Sequence, residues 1–239
     1  MINYISSKDN KKVIAATKLK NKKNINENHE FLVEGMKTIE LAIKSGHLKE
    51  IFTTKELDID PNIPQYIVNE NIVKKMAYSL NPEGVIGICS TLEEKLPASL
   101  NKVVYLDDIQ DPGNMGTIIR TALAFDYDAI ILSKNCVSIY NPKVVAASKG
   151  GLFLIPIIEG DLKDFKKDFL VITSSLNDKS LSLDKINKTD KFILVLGNEA
   201  HGVSEEVISL TDIFVKIPIN NIDSLNVSVA GGILMNYLK

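Results

Sequence analysis

From residue 103 onward the apolar positions come in short unbroken runs. Val103–Leu106, Ala129–Leu132, Leu152–Ile158, Phe169–Thr173, Phe192–Leu196 and Ile213–Ile217 are rich in Ile and Val and scarcely alternate with polar residues. Strands covered on both faces of a parallel sheet read this way. Between them lie helical stretches at 114–125, 142–148, 161–167, 204–210 and 226–238, so this part predicts a layered α/β fold. The first hundred residues carry a looser α/β pattern. It predicts a basic helix over Lys8–Lys20, a strand at Phe31–Val33 and a helix from Met36 to Lys44 that Gly46 ends. Strands follow at Ile51–Thr53, Tyr66–Val68 and Val85–Cys89, with a short helix over Ile72–Tyr78. The stretch 91–101 is polar and holds Pro97, which places a domain break there and divides the chain into 1–95 and 101–239.

With 239 residues, 45% of them apolar, the chain can bury one large core or two small ones. No apolar run approaches the length of a membrane span, and Met1–Asn10 is polar, without a signal-peptide apolar stretch. Cys89 and Cys136 stand far apart, with no metal-ligand spacing, so no metal site and a reducing, cytoplasmic setting are expected. The net charge of -2 excludes a uniformly basic nucleic-acid coat. Charge is uneven, however. The first 25 residues contain Lys8, Lys11, Lys12, Lys18, Lys20, Lys22 and Lys23 against Asp9 alone. Such a segment is either a solubilising face or a grip on RNA phosphates, which supplies affinity without reading bases. The cations are skewed as well: of 28, only Arg120 is an arginine. Lys and Arg differ where a planar, permanently charged fork is needed, which singles Arg120 out.

Ligands of open α/β sheets bind beyond the carboxyl ends of strands, so the loops after the apolar runs carry the chemistry. Three are unusual. In Leu106–Arg120 a strand enters a polar loop with Pro112-Gly113, then a helix starting near Asn114, a natural N-cap. Arg120 lies one turn beyond Gly116 and Thr117, and a cation beside a helix N-terminus suits an anion. The bland alternative is a capped turn with a surface Arg. The second loop, Leu196–Val203, frames Asn198 and Glu199 with Gly197 and Gly202, one glycine for the turn and one for close approach of a ligand. His201 in it is a weak candidate base, since a lone loop His is usually solvated. The third runs from Ile217 through Pro218 and Asn220-Asn221 into the last helix, which Ser224 or Asn226 could cap. Ala230, Ile233, Leu234, Tyr237 and Leu238 form an apolar stripe on that helix, and Gly231-Gly232 implies close packing on another helix.

Taken together, the three segments resemble the signature motifs of the SpoU (TrmH-type, SPOUT superfamily) RNA 2′-O-ribose methyltransferases. Asn114 and Arg120 match the first motif. Gly197, Asn198, Glu199 and Gly202 match G-N-E-x-x-G, and Ser224, Leu225, Asn226, Val227, Ser228 and Ala230 match S-L-N-V-S-x-A. The resemblance covers 102–239 and extends loosely to Phe31-Leu32-Val33-Glu34-Gly35, similar to the family's small substrate-binding domain. One departure stands out: the family's Met-x-Gly after the third-motif Pro is replaced by Ile219-Asn220-Asn221, one residue shorter before Ser224. Asn tolerates a left-handed conformation better than other non-Gly residues, so the loop can keep its course.

The resemblance implies a fold and a chemistry. A small L30e-like α/β domain would precede a SPOUT domain whose C-terminal segment threads a deep trefoil knot, which general topology rules would not suggest. S-adenosylmethionine would be held near Thr173, Leu196, Gly197, Ile217, Leu225 and Asn226. The catalytic set would be Arg120, Asn114, Glu199, Asn226 and Ser224, with Arg120 gripping an RNA phosphate and the pair orienting the ribose 2′-OH. The substrate would be rRNA or tRNA, and the enzyme a homodimer through its C-terminal domain. Two rivals remain: a non-catalytic RNA-binding protein on the same scaffold, and a dinucleotide-dependent oxidoreductase. The chain contains no G-x-G-x-x-G, which disfavours the second.

Overall fold

The computed structural model describes residues 2–93, 95–187 and 189–239; of the rest, Glu94 falls in the segment 91–101 where the sequence places its domain break. Two compact units emerge: Met1–Glu93 with Tyr140–Phe153, and Glu94–Ile139 with Leu154–Lys239. The division at the break follows the sequence pattern, but Tyr140–Phe153 groups with the first unit, whereas the pattern assigns it to the second.

Unit 1 is a five-stranded sheet with helices. Its strands are β1 (Ile2–Ile5), β2 (Glu30–Glu34), β3 (Leu48–Thr53), β4 (Gln65–Val68) and β5 (Val85–Ser90), in the order β1-β4-β3-β5-β2. β1, β4 and β3 run parallel, while β5 is antiparallel to both β3 and β2. The expected Lys8–Lys20 helix is shorter and is followed by another: α1 (Lys11–Lys18) and α2 (Lys22–Asn28). The reason is capping. Asn10 accepts from the Lys12 amide at 2.9 Å and Asn21 from the Lys23 amide at 2.8 Å, so each Asn starts its own helix. α3 (Met36–Lys44) forms where predicted, and α4 (Glu70–Met76) starts two residues earlier, capped by Asn69. Val13, Ala16 and Leu19 pack with Ile72, Val73 and Met76 of α4 over Leu32, Phe52 and Ile86 of the sheet. Strand β1 gives no sequence signal because only Ile5 is buried; Tyr4 is exposed on this edge strand. α6 (Pro142–Ser148), the other segment of this unit, packs on β2.

Unit 2 holds a seven-stranded sheet, all of whose pairings among the described residues are parallel. Its strands are β6 (Lys102–Asp107), β7 (Ala129–Leu132), β8 (Ile157–Glu159), β9 (Leu170–Ser174), β10 (Leu181–Ser182), β11 (Phe192–Gly197) and β12 (Ile213–Lys216). The order is β10-β12-β9-β11-β6-β7-β8. Val103, Tyr105, Ile193 and Val195 are buried on one face with Leu162 and Val207, while Val104, Leu106, Leu194 and Leu196 are buried on the other. Burial on both faces explains the unbroken apolar runs. α5 (Pro112–Ala124) and α9 (Val227–Leu238) pack on each other, as do α7 (Leu162–Phe165) and α8 (Glu205–Leu210). The expected strand Leu152–Ile158 is two things. Leu152 and Phe153 belong to a 3-10 turn in unit 1, where Phe153 stacks on Phe31 at 6.0 Å, and the strand begins only after Pro156. The two-residue edge strand β10 is too short to show as a pattern. Among the described residues no helix is long and apolar enough to cross a membrane.

Candidate active site at the carboxyl ends of the central strands

β6 and β11 are neighbours, and Gly197 at the end of one pairs with Asp107 at the end of the other. The loops leaving these strands therefore start side by side. The helix after β6 begins earlier than its sequence suggests. Asp111, not Asn114, is the N-cap: its carboxylate accepts from the Asn114 amide at 2.8 Å, and Pro112 takes the first turn. This frees the Asn114 side chain, which is buried, for longer-range bonds. Its amide donates to the Glu199 carboxylate, and its carbonyl accepts from Asn226 Nδ2 at 2.9 Å. One side chain thus ties together the starts of α5 and α9 and the loop after β11. Asn226 also caps α9, accepting from the Ser228 amide at 2.9 Å, the Val229 amide at 3.3 Å and the Ser228 hydroxyl at 2.7 Å.

Three of the five expected catalytic residues, Asn114, Glu199 and Asn226, form this network. Ser224 does not join it; it is exposed and makes no hydrogen bond among the described residues. Arg120 lies two turns along α5, exposed beside Thr117, its side chain with no hydrogen bond or ion pair among the described residues. Gly116, expected on its face, is buried instead. An always-charged fork stands on the surface, available for an anion.

The loop after β11 is held by residues outside the expected set. Asn198 donates to the Asp108 carbonyl at 2.8 Å and accepts from the amides of Ala200 at 2.8 Å and His201 at 3.2 Å. The Asp107 carboxylate accepts from the Ser204 amide at 2.6 Å. A polar residue ending a buried strand, as Asp107 does, is the signal that could have found it. His201 is exposed, in keeping with the solvated reading. Gly202 takes the turn at φ +71°, as expected of one glycine. The other has a different reason. A Cβ on Gly197 would lie 2.6 Å from the backbone C and O of Gly202, so the close approach is the loop's own backbone. The Gly231-Gly232 pair divides similarly. A Cβ on Gly231 would lie 2.7 Å from Leu196 of β11, whereas Gly232 meets Thr121 of α5 at an ordinary 3.7 Å. The stripe on α9 is shifted accordingly: Gly231, Leu234, Met235 and Leu238 are buried, and Val229 and Ile233 are exposed.

Of the cofactor candidates, Ile217 and Leu225 line one hollow of about 80 Å³ with Ser174, Leu176, Lys216, Ile219, Ser224 and Ala230. Its carbon walls and two serine hydroxyls suit an adenine ring and its ribose, though the volume would take only part of a nucleoside. Thr173 beside it is fully buried, with its hydroxyl paired to Thr211 at 2.7 Å. Leu196 is also fully buried, so only its backbone could meet a ligand. Asn221 adopts φ +67°, so the departing third-motif loop does use the left-handed conformation expected of an Asn there. Among the described residues no cluster could hold a metal ion.

A parallel α/β sheet with an Asn–Glu–Asn clasp at its carboxyl ends has this polar network where open α/β enzymes bind their ligands. Residues 101–236 match the SpoU rRNA Methylase family, and 10–87 match the MRM3-like substrate binding domain. The 23S rRNA (guanosine(2553)-2'-O)-methyltransferase RlmP of Bacillus subtilis is 32% identical over 98% of both chains. The AdoMet-bound rRNA methyltransferase of Sinorhizobium meliloti is 27% identical, with a TM-score of 0.88 over 99% of this chain and 97% of that one. The Streptomyces viridochromogenes methyltransferase AviRb shares the fold at 22% identity and TM-score 0.85. The chain belongs to the SpoU rRNA methylase family. It is an RNA ribose-2′-O-methyltransferase whose cofactor is S-adenosylmethionine.

Proposed function

We propose that the enzyme methylates one ribose of 23S rRNA. What carries this reading is the full-length likeness to RlmP, in which both the substrate-binding part and the methylase part align. Ribose-methylation mapping in total RNA from cells with and without the gene tests it. Loss of a 2′-O-methyl mark in 23S rRNA is expected; a mark lost from tRNA instead would overturn the choice of substrate.

When bound, S-adenosylmethionine supplies the electrophilic sulfonium methyl group. The chain's own residues do the rest by placement, which can remove much of a barrier. Leu176, Ile217, Leu225 and Ala230 would hold the adenosyl part, with Ser174 and Ser224 at its polar edge. Asn114, Glu199 and Asn226 keep three loops in register. Arg120 grips an RNA phosphate through two N–H donors, fixing the ribose. It cannot take the hydroxyl proton at neutral pH, so its part is to orient the hydroxyl together with the gripped phosphate.

The last strand and helix are proposed to thread a trefoil knot. In support, β12 lies beside β9, while α9, next in the chain, crosses back to β11 and α5. The exposed Val229 and Ile233 of α9 support a homodimer through this helix. Free Cys89 and Cys136 support a reducing, cytoplasmic setting.

For the RNA grip, expected from Lys11, Lys12, Lys18, Lys20, Lys22 and Lys23 of the seven N-terminal lysines, the structure divides the six. Lys12 pairs with Glu50 at 2.6 Å and lies 4.7 Å from the Tyr66 ring centre. Lys20 donates to the Ala77 carbonyl, and burial lowers its pKa. Lys23 faces Glu27 at 3.8 Å. Lys11, Lys18 and Lys22 are exposed and unpaired among the described residues. Changing these three to Gln is expected to flatten the log–log salt dependence of RNA binding by about 2, at roughly 0.7–0.9 per lost phosphate contact. Changing Lys12 and Lys20 instead should move it far less. Equal slopes for both variants would place the grip elsewhere.

A further inference from the structure

In unit 1 the carboxyl ends of β1 and β4 lie side by side, since Ile5 ending one pairs in parallel with Val68 ending the other. Between the loop that leaves β1 and α4 opens a hollow of about 900 Å³. It is unlike a small-molecule pocket. Such pockets are walled mostly by carbon, whereas here Ile72 is the one apolar lining residue, and Ser6, Lys8, Asn71, Lys74 and Lys75 bring polar groups. The lining holds three lysines and a single acid, Asp9.

The frame of the hollow is fixed by its own bonds. Asn69 Nδ2 donates to the Ser6 carbonyl at 3.2 Å, Lys75 Nζ to the Lys8 carbonyl at 2.7 Å, and the Asp9 amide to the Ser7 hydroxyl at 3.1 Å. Other polar groups are left over. Among the described residues the side chains of Ser6, Lys8 and Asn71 have no partner, and Lys74 meets only Glu70, at 3.9 Å with both side chains well exposed. An exposed pair of that kind holds its cation weakly. Two residues before Ser6, Tyr4 is 79% exposed. Alternation along β1 sends Ile5 into the core and puts Tyr4 on the opposite face with Ile2, itself exposed. The Tyr4 ring has no ring contact and its hydroxyl no hydrogen bond among the described residues. Tyr4 and Lys8 both precede residues 10–87, so the match to the substrate binding domain assigns them nothing.

The ring and the hollow together suit one occupant. Free lysines and a hydroxyl on a broad open surface fit the phosphates of a nucleic-acid backbone. A free aromatic ring fits the face of a base, whichever base it is. Tyr4 and Ser6 stand about 6.6 Å apart along the strand, so a base lying on the ring brings its own backbone to the hollow. Duplex RNA keeps its base faces inside the stack, which makes the occupant single-stranded. We propose that Tyr4 stacks one base of a single-stranded stretch of the substrate RNA while the hollow between the β1 loop and α4 holds the adjoining phosphates. The proposal rests on RNA being the substrate, but not on which RNA.

The chain contains no tryptophan, so Tyr4→Trp installs a single fluorescent reporter at the exposed position itself. Titration of that full-length variant with a single-stranded RNA 12-mer of mixed sequence should quench its fluorescence saturably, and the same 12-mer in a duplex should quench it far less. No quenching, or equal quenching by the duplex, overturns the stacking. Affinity of the untagged variants for the single strand separates ring from charge. Tyr4→Phe should bind within about twofold of wild type, and Tyr4→Ala about tenfold more weakly with an unchanged salt slope. Equal losses for Phe and Ala overturn the ring's role. Lys8→Gln combined with Lys74→Gln should flatten the log–log salt dependence by about 1.4, at roughly 0.7 per single-strand phosphate contact. An unchanged slope overturns the hollow as the phosphate site. In turnover, Tyr4→Ala should raise the KM for RNA several-fold, with S-adenosylhomocysteine affinity within about twofold. An unchanged KM overturns the proposal while leaving the methyltransferase reading intact. Failure of the wild-type enzyme to methylate any RNA would overturn that reading instead, and the fluorescence titration would still decide the surface.

Discussion

Arg120→Lys is expected to cut kcat by about a hundredfold or more, roughly 2.7 kcal/mol of barrier, while S-adenosylhomocysteine binds within a few fold of wild type. The substitution keeps the charge and removes the fork. Lys offers a compact point charge on a flexible stem, whereas Arg presents a planar pair of donors that fixes a phosphate in orientation as well as position. The site needs orientation, because the Arg and the gripped phosphate together place the ribose hydroxyl for in-line attack. Arg120 is the chain's sole arginine and stands exposed, its side chain bonded to nothing among the described residues. Its loss should therefore leave the fold untouched, and thermal unfolding should coincide for the two proteins. Single-turnover methylation with calorimetry on the same samples separates chemistry from binding. Equal single-turnover rates would remove the phosphate-fork role and return Arg120 to an ordinary surface cation.

How far the sequence foretells this site depends on what each residue does. α3 and α6 form at the predicted bounds, because period and flanking Gly or Pro agree there, and β7 does because its four apolar residues are bounded by polar Asp128 and Ser133. Strands β1 and β10 escape because edge strands bury too little to leave a pattern. The clasp is half legible. Asn114, Glu199 and Asn226 stand out as chemistry-bearing residues, but their mutual bonding spans separations of 85 and 112 residues, and spacing along the chain cannot report that. Asn114 reads as a cap because Asn is a good one; Asp111 three residues earlier is another, and it carries the cap. Ser224 matches a motif yet lies outside the clasp, since a motif fixes order along the chain and not which side chains meet.

Gly197→Val is expected to have the second large effect, loss of measurable S-adenosylhomocysteine binding together with a less stable fold. A Cβ at position 197 would meet the backbone C and O of Gly202 at 2.6 Å and the Val203 side chain at 2.7 Å. Backbone cannot swing aside as a side chain does, so the loop must open. Opening breaks the two-way pairing of Asn198 with Gly202, whose hydrogen bonds are both 2.9 Å. Each such bond contributes on the order of 1 kcal/mol, and overpacking costs about 1–3 kcal/mol more. Displacing Glu199 from Asn114 also loosens the clasp across the three loops. The melting temperature should then fall by several degrees, at about 2–4 °C per kcal/mol for a chain of this size. Gly202→Ala is the control within the same loop. Nothing lies within 4 Å of its Cβ position, so only the left-handed φ of +71° is penalised, by about 1–2 kcal/mol, and binding should survive at reduced affinity. Calorimetry on both variants decides the matter: if the Gly197→Val protein binds S-adenosylhomocysteine as wild type does, the loop after β11 does not border the cofactor, and the pocket must lie wholly between β9, β12 and the start of α9.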